Sequence, residues 1–147
     1  MAAIHDAAVR VGGATFRTAP RPLDEVEALI REERPFLVAT RDSEVVGWAA
    51  AGLYEPGNPS YDGVAEVAVY VAETARGAGA GTLLLAALAE AAEDVGIFKL
   101  VAKVFTTNTE SLRLFERAGY ATVGTHFRHG CLRGEWRDVV VLEKLLS

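Results

Sequence analysis

The chain has 147 residues, half of them hydrophobic, which is enough to bury one sizeable core, so we expect a single domain over residues 1–147. Its formal net charge of −5 argues against the clustered positive surface on which nucleic-acid binding depends, and the sequence shows neither a membrane-length apolar run nor a signal-peptide pattern. The single cysteine, Cys131, excludes an internal disulfide. We therefore expect a cytoplasmic protein with no nucleic-acid and no membrane partner.

The N-terminal segment predicts two helices separated by a loop. Ile4, Ala8 and Val11 repeat at helical spacing, and no strand pattern precedes them. Phe16 lies in the loop that follows, and Pro22 suits the first position of a second helix. The apolar face of this second helix comprises Leu23, Val26 and Ile30.

The next stretch predicts a β-hairpin followed by an irregular loop. Residues 36–40 and 45–53 read as strands, and Arg41-Asp42-Ser43 reads as the turn between them. Prolines and glycines then recur from residue 54 to residue 63, which predicts a loop. Because this loop stands directly before a hydrophobic strand that begins at Glu66, it is well placed to cover a substrate.

A glycine-rich turn follows that strand. Arg76-Gly77-Ala78-Gly79-Ala80-Gly81 leads into an apolar-periodic helix that ends at Gly96. A strand, a glycine turn and a helix N-terminus together favour binding of phosphate oxygens. A P-loop is excluded because no Gly-Lys-Ser/Thr follows, and a Rossmann fingerprint fits badly because the next strand carries Lys99 and Lys103 instead of an acid. A tight turn without a ligand is the alternative.

The C-terminal third predicts a strand, a short helix and two further strands. The ranges are residues 98–104 for the first strand, 109–118 for the helix, and 120–127 and 136–143 for the last two strands. His5, His126 and His129 are too scattered to suggest a metal site, even with Cys131 nearby, so no metal is expected.

The order of these motifs resembles the GNAT superfamily of acetyl-CoA-dependent N-acetyltransferases, whose pyrophosphate loop reads Gln/Arg-x-x-Gly-x-Gly/Ala. The further matches resemble the phosphinothricin, methionine sulfone and arsinothricin acetyltransferase branch. They are Glu66-x-x-Val69-Tyr70-Val71, Asn108 with Ser111 and Leu112, Ala118-Gly119-Tyr120, and Gly134-x-Trp136-x-Asp138-Val139.

This resemblance implies an α/β (α+β) fold with a mixed, mostly antiparallel central sheet flanked by helices. No segment of this sequence matches the first N-terminal strand of the family, so we expect either a sheet without that edge strand or a misassigned start codon that removed the strand. The resemblance also implies transfer of an acetyl group from acetyl-CoA to the amine of a small amino acid or a toxic amino-acid analogue, by a homodimer.

The resemblance further implies which residues bind the cosubstrate. The backbone of Val69, Tyr70 and Val71 would pair with the pantetheine arm, and Arg76 would support the pyrophosphate. The amides on the pyrophosphate would be those of Gly77, Ala78, Gly79, Ala80, Gly81 and Thr82. Asn108 has two compatible interpretations, as the N-cap of the short helix or as a hydrogen-bond partner of the pantetheine.

Glu66 is the candidate general base. An amine must lose a proton before it attacks a thioester, and Glu66 matches the glutamate that has this role in the resembling branch. The alternative is an ordinary solvated residue at the start of a strand. Relatives carry a tyrosine or histidine at the position of Phe115 to protonate the leaving thiolate, whereas Phe115 has no proton to give and is expected in the core. A thiol pKa of about 8.5 makes the thiolate a tolerable leaving group.

The acceptor pocket is the least defined part. By resemblance, Phe16 and Tyr61 should shape it, completed by a second subunit. Relatives that hold a phosphinate or arsinate carry basic residues in the loop before the central strand, whereas this loop offers Glu55, so we expect a neutral side chain such as a methionine sulfone to be preferred. The alternatives are a non-catalytic acyl-CoA-binding domain and a protein or peptide N-acetyltransferase.

Overall fold

The computed structural model describes residues 34–146, which form six strands and two α-helices. In chain order these elements are β1 Phe36–Arg41, β2 Glu44–Leu53, β3 Val64–Val71, α1 Ala80–Asp94, β4 Lys99–Phe105, α2 Thr109–Arg117, β5 Ala121–Leu132 and β6 Glu135–Leu145. Two short 3-10 turns cover Pro59–Tyr61 and Glu73–Ala75. No helix in this part of the chain is long and apolar enough to cross a bilayer.

The six strands form one mixed sheet in the order β1-β2-β3-β4-β6-β5. Every neighbouring pair is antiparallel except β3 and β4, which run parallel because α1 connects them. The expected mixed, mostly antiparallel sheet with flanking helices is therefore confirmed.

Both helices pack on the same face of the sheet. Leu84, Leu85 and Leu88 on α1 are at most 4% exposed and meet buried residues of the central strands. Full burial of a leucine side chain contributes about 1.5–3 kcal/mol, so this one helix face stabilises the centre of the sheet strongly. On α2, Phe115 is buried and contacts Tyr120 edge to face, which confirms its expected place in the core.

The last two strands form a longer hairpin than the predicted strands at residues 120–127 and 136–143 would give. β5 continues to Leu132 because a bulge between His126 and Gly130 lets the strand resume after Arg128, whose φ is +48°. The side chain of Asp138 secures the bulge, since its Oδ1 accepts the N–H of Arg128 at 2.8 Å. The predicted end of this strand at residue 127 was wrong for that reason.

Several expectations fall on residues that the structure does not describe. They are the two N-terminal helices, the missing first strand and the place of Phe16.

Candidate active site

The parallel pairing of β3 with β4 is short. The two strands pair from Val64 opposite Lys99 to Glu66 opposite Val101, whereas β3 pairs with β2 as far as Val71. Beyond Glu66 the strands diverge, and within the described chain no strand lies against that edge of β3. The sheet therefore has a gap at its centre, with Glu66 at the closed end.

The backbone of β3 presents hydrogen-bonding groups to this gap. Ala72 N–H donates to the carbonyl of Val46 on the β2 side at 2.7 Å. Hydrogen-bonded and non-hydrogen-bonded pairs alternate along an antiparallel ladder, so the backbone N–H and C=O groups of Val69 and Val71 point away from β2 and into the gap. The carbonyl of Val71 accepts a hydrogen bond from Arg76 Nε at 3.2 Å, which agrees with this orientation.

The glycine turn lies at the open end of the gap. Gly77 and Gly79 have φ values of +82° and +87°, and a Cβ at either position would meet nothing within 4 Å. Gly79 is the N-cap of α1, and the first turn of the helix has no side-chain cap and no acidic residue. Its N–H groups are thus directed into open space, as binding of a phosphate anion requires.

One cleft, with a volume of about 620 Å³, joins these features. The predicted cofactor residues that line it are Val69, Tyr70, Val71, Arg76, Gly77, Gly79, Ala80, Gly81, Thr82 and Asn108; the predicted Ala78 does not. Residues from the α2 side that sequence reasoning missed are Thr107, Glu110, Ser111, Arg113, Leu114 and Arg117. Their helical spacing was the available signal, since it places them on one face of α2.

Asn108 is the N-cap of α2. Its Oδ1 accepts the N–H of Ser111 at 3.2 Å, so the capping interpretation is confirmed. α2 also packs closely against α1, since Leu114 of α2 lies next to Gly81 of α1. A Cβ at position 81 would lie only 2.9 Å from Leu114 Cδ2. Gly81 therefore lets the two helices close the cleft wall, a packing role that its place in the glycine motif did not reveal.

Glu66 lies on the opposite face of the sheet. Its neighbours Ala65 and Val67 point into the core beneath the helices, so the alternation of a strand turns Glu66 away from them. Glu66 Oε2 lies 3.6 Å from Lys103 Nζ, and the two side chains are 38% and 34% exposed. The solvated interpretation was therefore incomplete, because the carboxylate has an ion-pair partner across the gap.

Two tyrosines stand beside this ion pair. Lys103 Nζ is 5.6 Å from the ring centroid of Tyr54, and the rings of Tyr54 and Tyr61 are 5.3 Å apart. We call Tyr54, Tyr61, Glu66 and Lys103 the acceptor-side cluster. The predicted Tyr61 lies in it, whereas Tyr54 and Lys103 were missed as site residues.

The cleft extends along β3 as far as Val69, and the acceptor-side cluster lies around Glu66 at the closed end of the gap, on the opposite face of the sheet. A thioester that enters along β3 from the helix side would reach an amine held on the other side, with a carboxylate at the junction. This arrangement suits direct transfer of an acyl group between two substrates bound at the same time.

The histidines require a correction. His126 and His129 lie close together, because the bulge in β5 stacks their rings with centroids 4.3 Å apart, whereas His5 lies outside the described residues. Across residues 34–146, however, no three His, Cys, Asp or Glu side chains are grouped as a metal site would need.

Residues 2–120 match the profile of the acetyltransferase (GNAT) family. The chain belongs to this family. GNAT acetyltransferases use acetyl-CoA, and the cleft, the free strand edge and the glycine turn fit that molecule. The protein is an acetyl-CoA-dependent N-acetyltransferase.

Curated GNAT relatives indicate the branch. The chain is 33% identical to the phosphinothricin N-acetyltransferase of Alcaligenes faecalis, over 99% of this chain and 76% of the relative. It is 34% identical to the L-methionine sulfoximine/L-methionine sulfone acetyltransferase of Pseudomonas paraeruginosa, over 80% of this chain and 68% of the relative. The expected resemblance is confirmed.

Solved acetyltransferase structures have a similar fold. YncA of Salmonella typhimurium, solved with its cofactor acetyl-CoA, has 25% identity and a TM-score of 0.92, over 99% of this chain and 86% of the other. A ribosomal-protein-alanine N-acetyltransferase of Brucella melitensis has 33% identity and a TM-score of 0.91, over 97% of this chain and 90% of the other.

Proposed function

We propose that this enzyme acetylates the primary amine of a small free amino acid or toxic amino-acid analogue of the phosphinothricin, methionine sulfone or arsinothricin type, with Glu66 as general base. The observation that carries this proposal is the position of Glu66 at the closed end of the gap, beside Lys103 and three residues along β3 from the cleft-lining Val69. The names of the curated relatives support the acceptor class.

In this proposal the chain holds acetyl-CoA by its backbone. The free edge of Val69, Tyr70 and Val71 pairs with the pantetheine arm. The amides of the glycine turn and the first turn of α1 hold the pyrophosphate, with Arg76 as a nearby charge. Asn108 adds a side-chain amide at the start of α2.

The reaction then follows from the residues at the gap. Glu66 accepts a proton from the acceptor ammonium, directly or through a water, and the neutral nitrogen forms a bond to the acetyl carbon. A backbone N–H near Val69 donates to the acetyl oxygen as negative charge develops there. As the carbon–sulfur bond breaks, the nitrogen loses its second proton, and a water relays a proton to the departing thiolate because Phe115 is buried and carries none.

Release of free coenzyme A thiol, measured against amino acids, sulfones, phosphinothricin, polyamines and peptides, tests the proposal. Glu66→Gln should lower kcat by about 10²- to 10⁴-fold while the affinity for acetyl-CoA stays unchanged. Glu143→Gln is the matched control, because Glu143 also pairs with a lysine of β4, at 3.0 Å, outside the site. Full activity of Glu66→Gln across the pH range would show that another group is the base.

The same assay separates the rival functions. A non-catalytic acyl-CoA-binding domain would bind acetyl-CoA and release no thiol with any amine, and a peptide acetyltransferase would favour peptides over free amino acids. Within the proposed class, the exposed Glu55 still favours a methionine sulfone over phosphinothricin. Competition between these two acceptors at equal concentration decides this point.

We also propose that the active form is a homodimer. β5 is an edge strand, and residues 121–129 of it are all exposed. Phe127 and Trp136 on this hairpin are 77% and 63% exposed, which is unusual for large apolar side chains. A second copy covering this hairpin would bury them and satisfy the open strand edge.

A further inference from the structure

Lys103 lies across the gap from the proposed base. Glu66 is the last residue of β3 that pairs with β4, and it lies opposite Val101. Lys103 lies two residues after Val101 on β4. The 3.6 Å contact between Glu66 Oε2 and Lys103 Nζ therefore bridges the strands where they begin to separate. Any acceptor that brings its amine to Glu66 must pass close to the ammonium of Lys103.

This pair is poorly suited to a structural role. Both side chains are about one third exposed, and ion pairs with that exposure contribute little to stability because water screens them. Lys99, on the same strand and the same face, is engaged differently. Its Nζ lies 3.0 Å from Glu143 on the neighbouring strand β6, away from the gap.

The Glu66–Lys103 pair is well suited to binding a zwitterionic ligand. A free α-amino acid carries an ammonium and a carboxylate on the same carbon, so its two charges are as close together as those of Glu66 and Lys103. With the amine toward Glu66 and the carboxylate toward Lys103, the four charges alternate in sign. An amine that lacks an α-carboxylate would bring a second positive charge to Glu66 beside Lys103 without adding a negative charge.

The tyrosines supply the rest of such a site. The ring of Tyr54 lies beneath Lys103 Nζ at 5.6 Å, which fixes the ammonium by a cation–π contact. Tyr61 packs against Tyr54 and is 38% exposed, so the two rings form an open aromatic wall for the side chain of the acceptor.

We propose that Lys103 binds the α-carboxylate of the acceptor and so restricts the enzyme to free α-amino acids. This inference rests on the proposed function and deepens it. It excludes polyamines, protein lysines and peptide N-termini as good acceptors, since none presents a carboxylate on the carbon that bears the reacting amine.

The test compares methionine sulfone with its carboxamide, which keeps the amine and side chain but lacks the carboxylate. We expect Lys103→Met to lower kcat/KM for the free acid, mainly through KM, by about ten- to a hundredfold relative to the carboxamide. Lys103→Arg should restore most of the selectivity because it keeps the charge. Lys99→Met, the matched control, should leave the ratio unchanged.

The ratio between the two acceptors is the decisive quantity. Loss of Lys103 also alters the surroundings of Glu66, which would change kcat for both acceptors by the same factor and leave the ratio intact. An equal effect on both acceptors, or no effect, would overturn the role of Lys103 while leaving the acetyltransferase intact. Absence of thiol release by the unmodified enzyme with every amine would instead overturn the proposed function.

Discussion

Gly79 keeps the space in front of the N-terminus of α1 open. Its φ of +87° lies in the left-handed region, and its Cα faces open space at the start of α1. A side chain here would be strained and would also occupy the space that a phosphate needs.

We expect Gly79→Val to weaken acetyl-CoA binding at least tenfold, since it blocks the close approach of an anion to the helix amides. Gly96→Val is the control, because Gly96 has a φ of +86° and equally open surroundings at the other end of the same helix. Titration calorimetry should show weak binding for the first variant and normal binding for the second. Equal affinities would remove the glycine turn from the binding site.

Tyr120 offers a test of the buried polar groups. Its Oη is buried with no hydrogen-bond partner in the described part of the chain, and burial raises the pKa of this tyrosine. The unfolded chain loses the proton near pH 10, before the folded chain does, so the free energy of unfolding falls as pH rises above about 10.

Tyr120→Phe should raise the free energy of unfolding by about 1 kcal/mol at neutral pH, because it removes an unpartnered hydroxyl and keeps the ring contact with Phe115. It should also reduce the loss of stability between neutral pH and about pH 11. Urea unfolding at both pH values measures the effect. A less stable variant would mean that the hydroxyl has a partner.

The sequence predicted those site residues that belong to a short, continuous motif. Glu66 and the glycine turn belong to a continuous motif, and the cap at Asn108 depends on three residues that follow it. Lys103 and Tyr54 gave no such signal, because their contacts depend on how far β3 and β4 pair before they separate. That distance is a property of the folded sheet.

At the scale of elements, the N-cap residue of α2 combines two roles. Asn108 caps the helix through Oδ1, and its side chain also lines the cleft. The helix must form for the cleft wall to exist, so loss of the cap and loss of a cofactor contact are easily confused.

Asn108→Ser separates the two roles, because serine keeps a capping oxygen and has no amide. Stability should change by a few tenths of a kcal/mol, whereas acetyl-CoA affinity should fall several-fold if the amide contacts the pantetheine. Asn108→Ala should lose about 1 kcal/mol of stability as well. Thermal unfolding and acetyl-CoA titration of both variants give the answer, and normal affinity of Asn108→Ser would leave Asn108 with the cap alone.

Sequence patterns predicted α1, α2 and the first four strands closely, because the helices carry apolar residues at helical spacing and the strands are hydrophobic runs bounded by turn residues. It located both β5 and β6 but ended β5 too early, at residue 127. The bulge at Arg128 breaks the alternation, and exposure on both faces removes the apolar pattern that marks a strand.

At the scale of the whole molecule, the exposed hairpin predicts self-association. Phe127→Lys should convert the dimer to a monomer, since it places a charge in the proposed apolar interface. Val95→Lys, which changes a residue 57% exposed at the end of α1, should remain dimeric. Sedimentation equilibrium across a range of concentrations measures both, and a monomeric unmodified protein would contradict the dimer.

The gap beside β3 has a consequence for the sheet itself. In the proposed complex, the pantetheine arm occupies the place that a neighbouring strand would take. The centre of the sheet is then completed by a molecule that is consumed in each catalytic cycle. The hydrogen bonds along this edge of β3 therefore form when acetyl-CoA binds and break when coenzyme A leaves, so the rigidity of the centre of the sheet changes within each catalytic cycle.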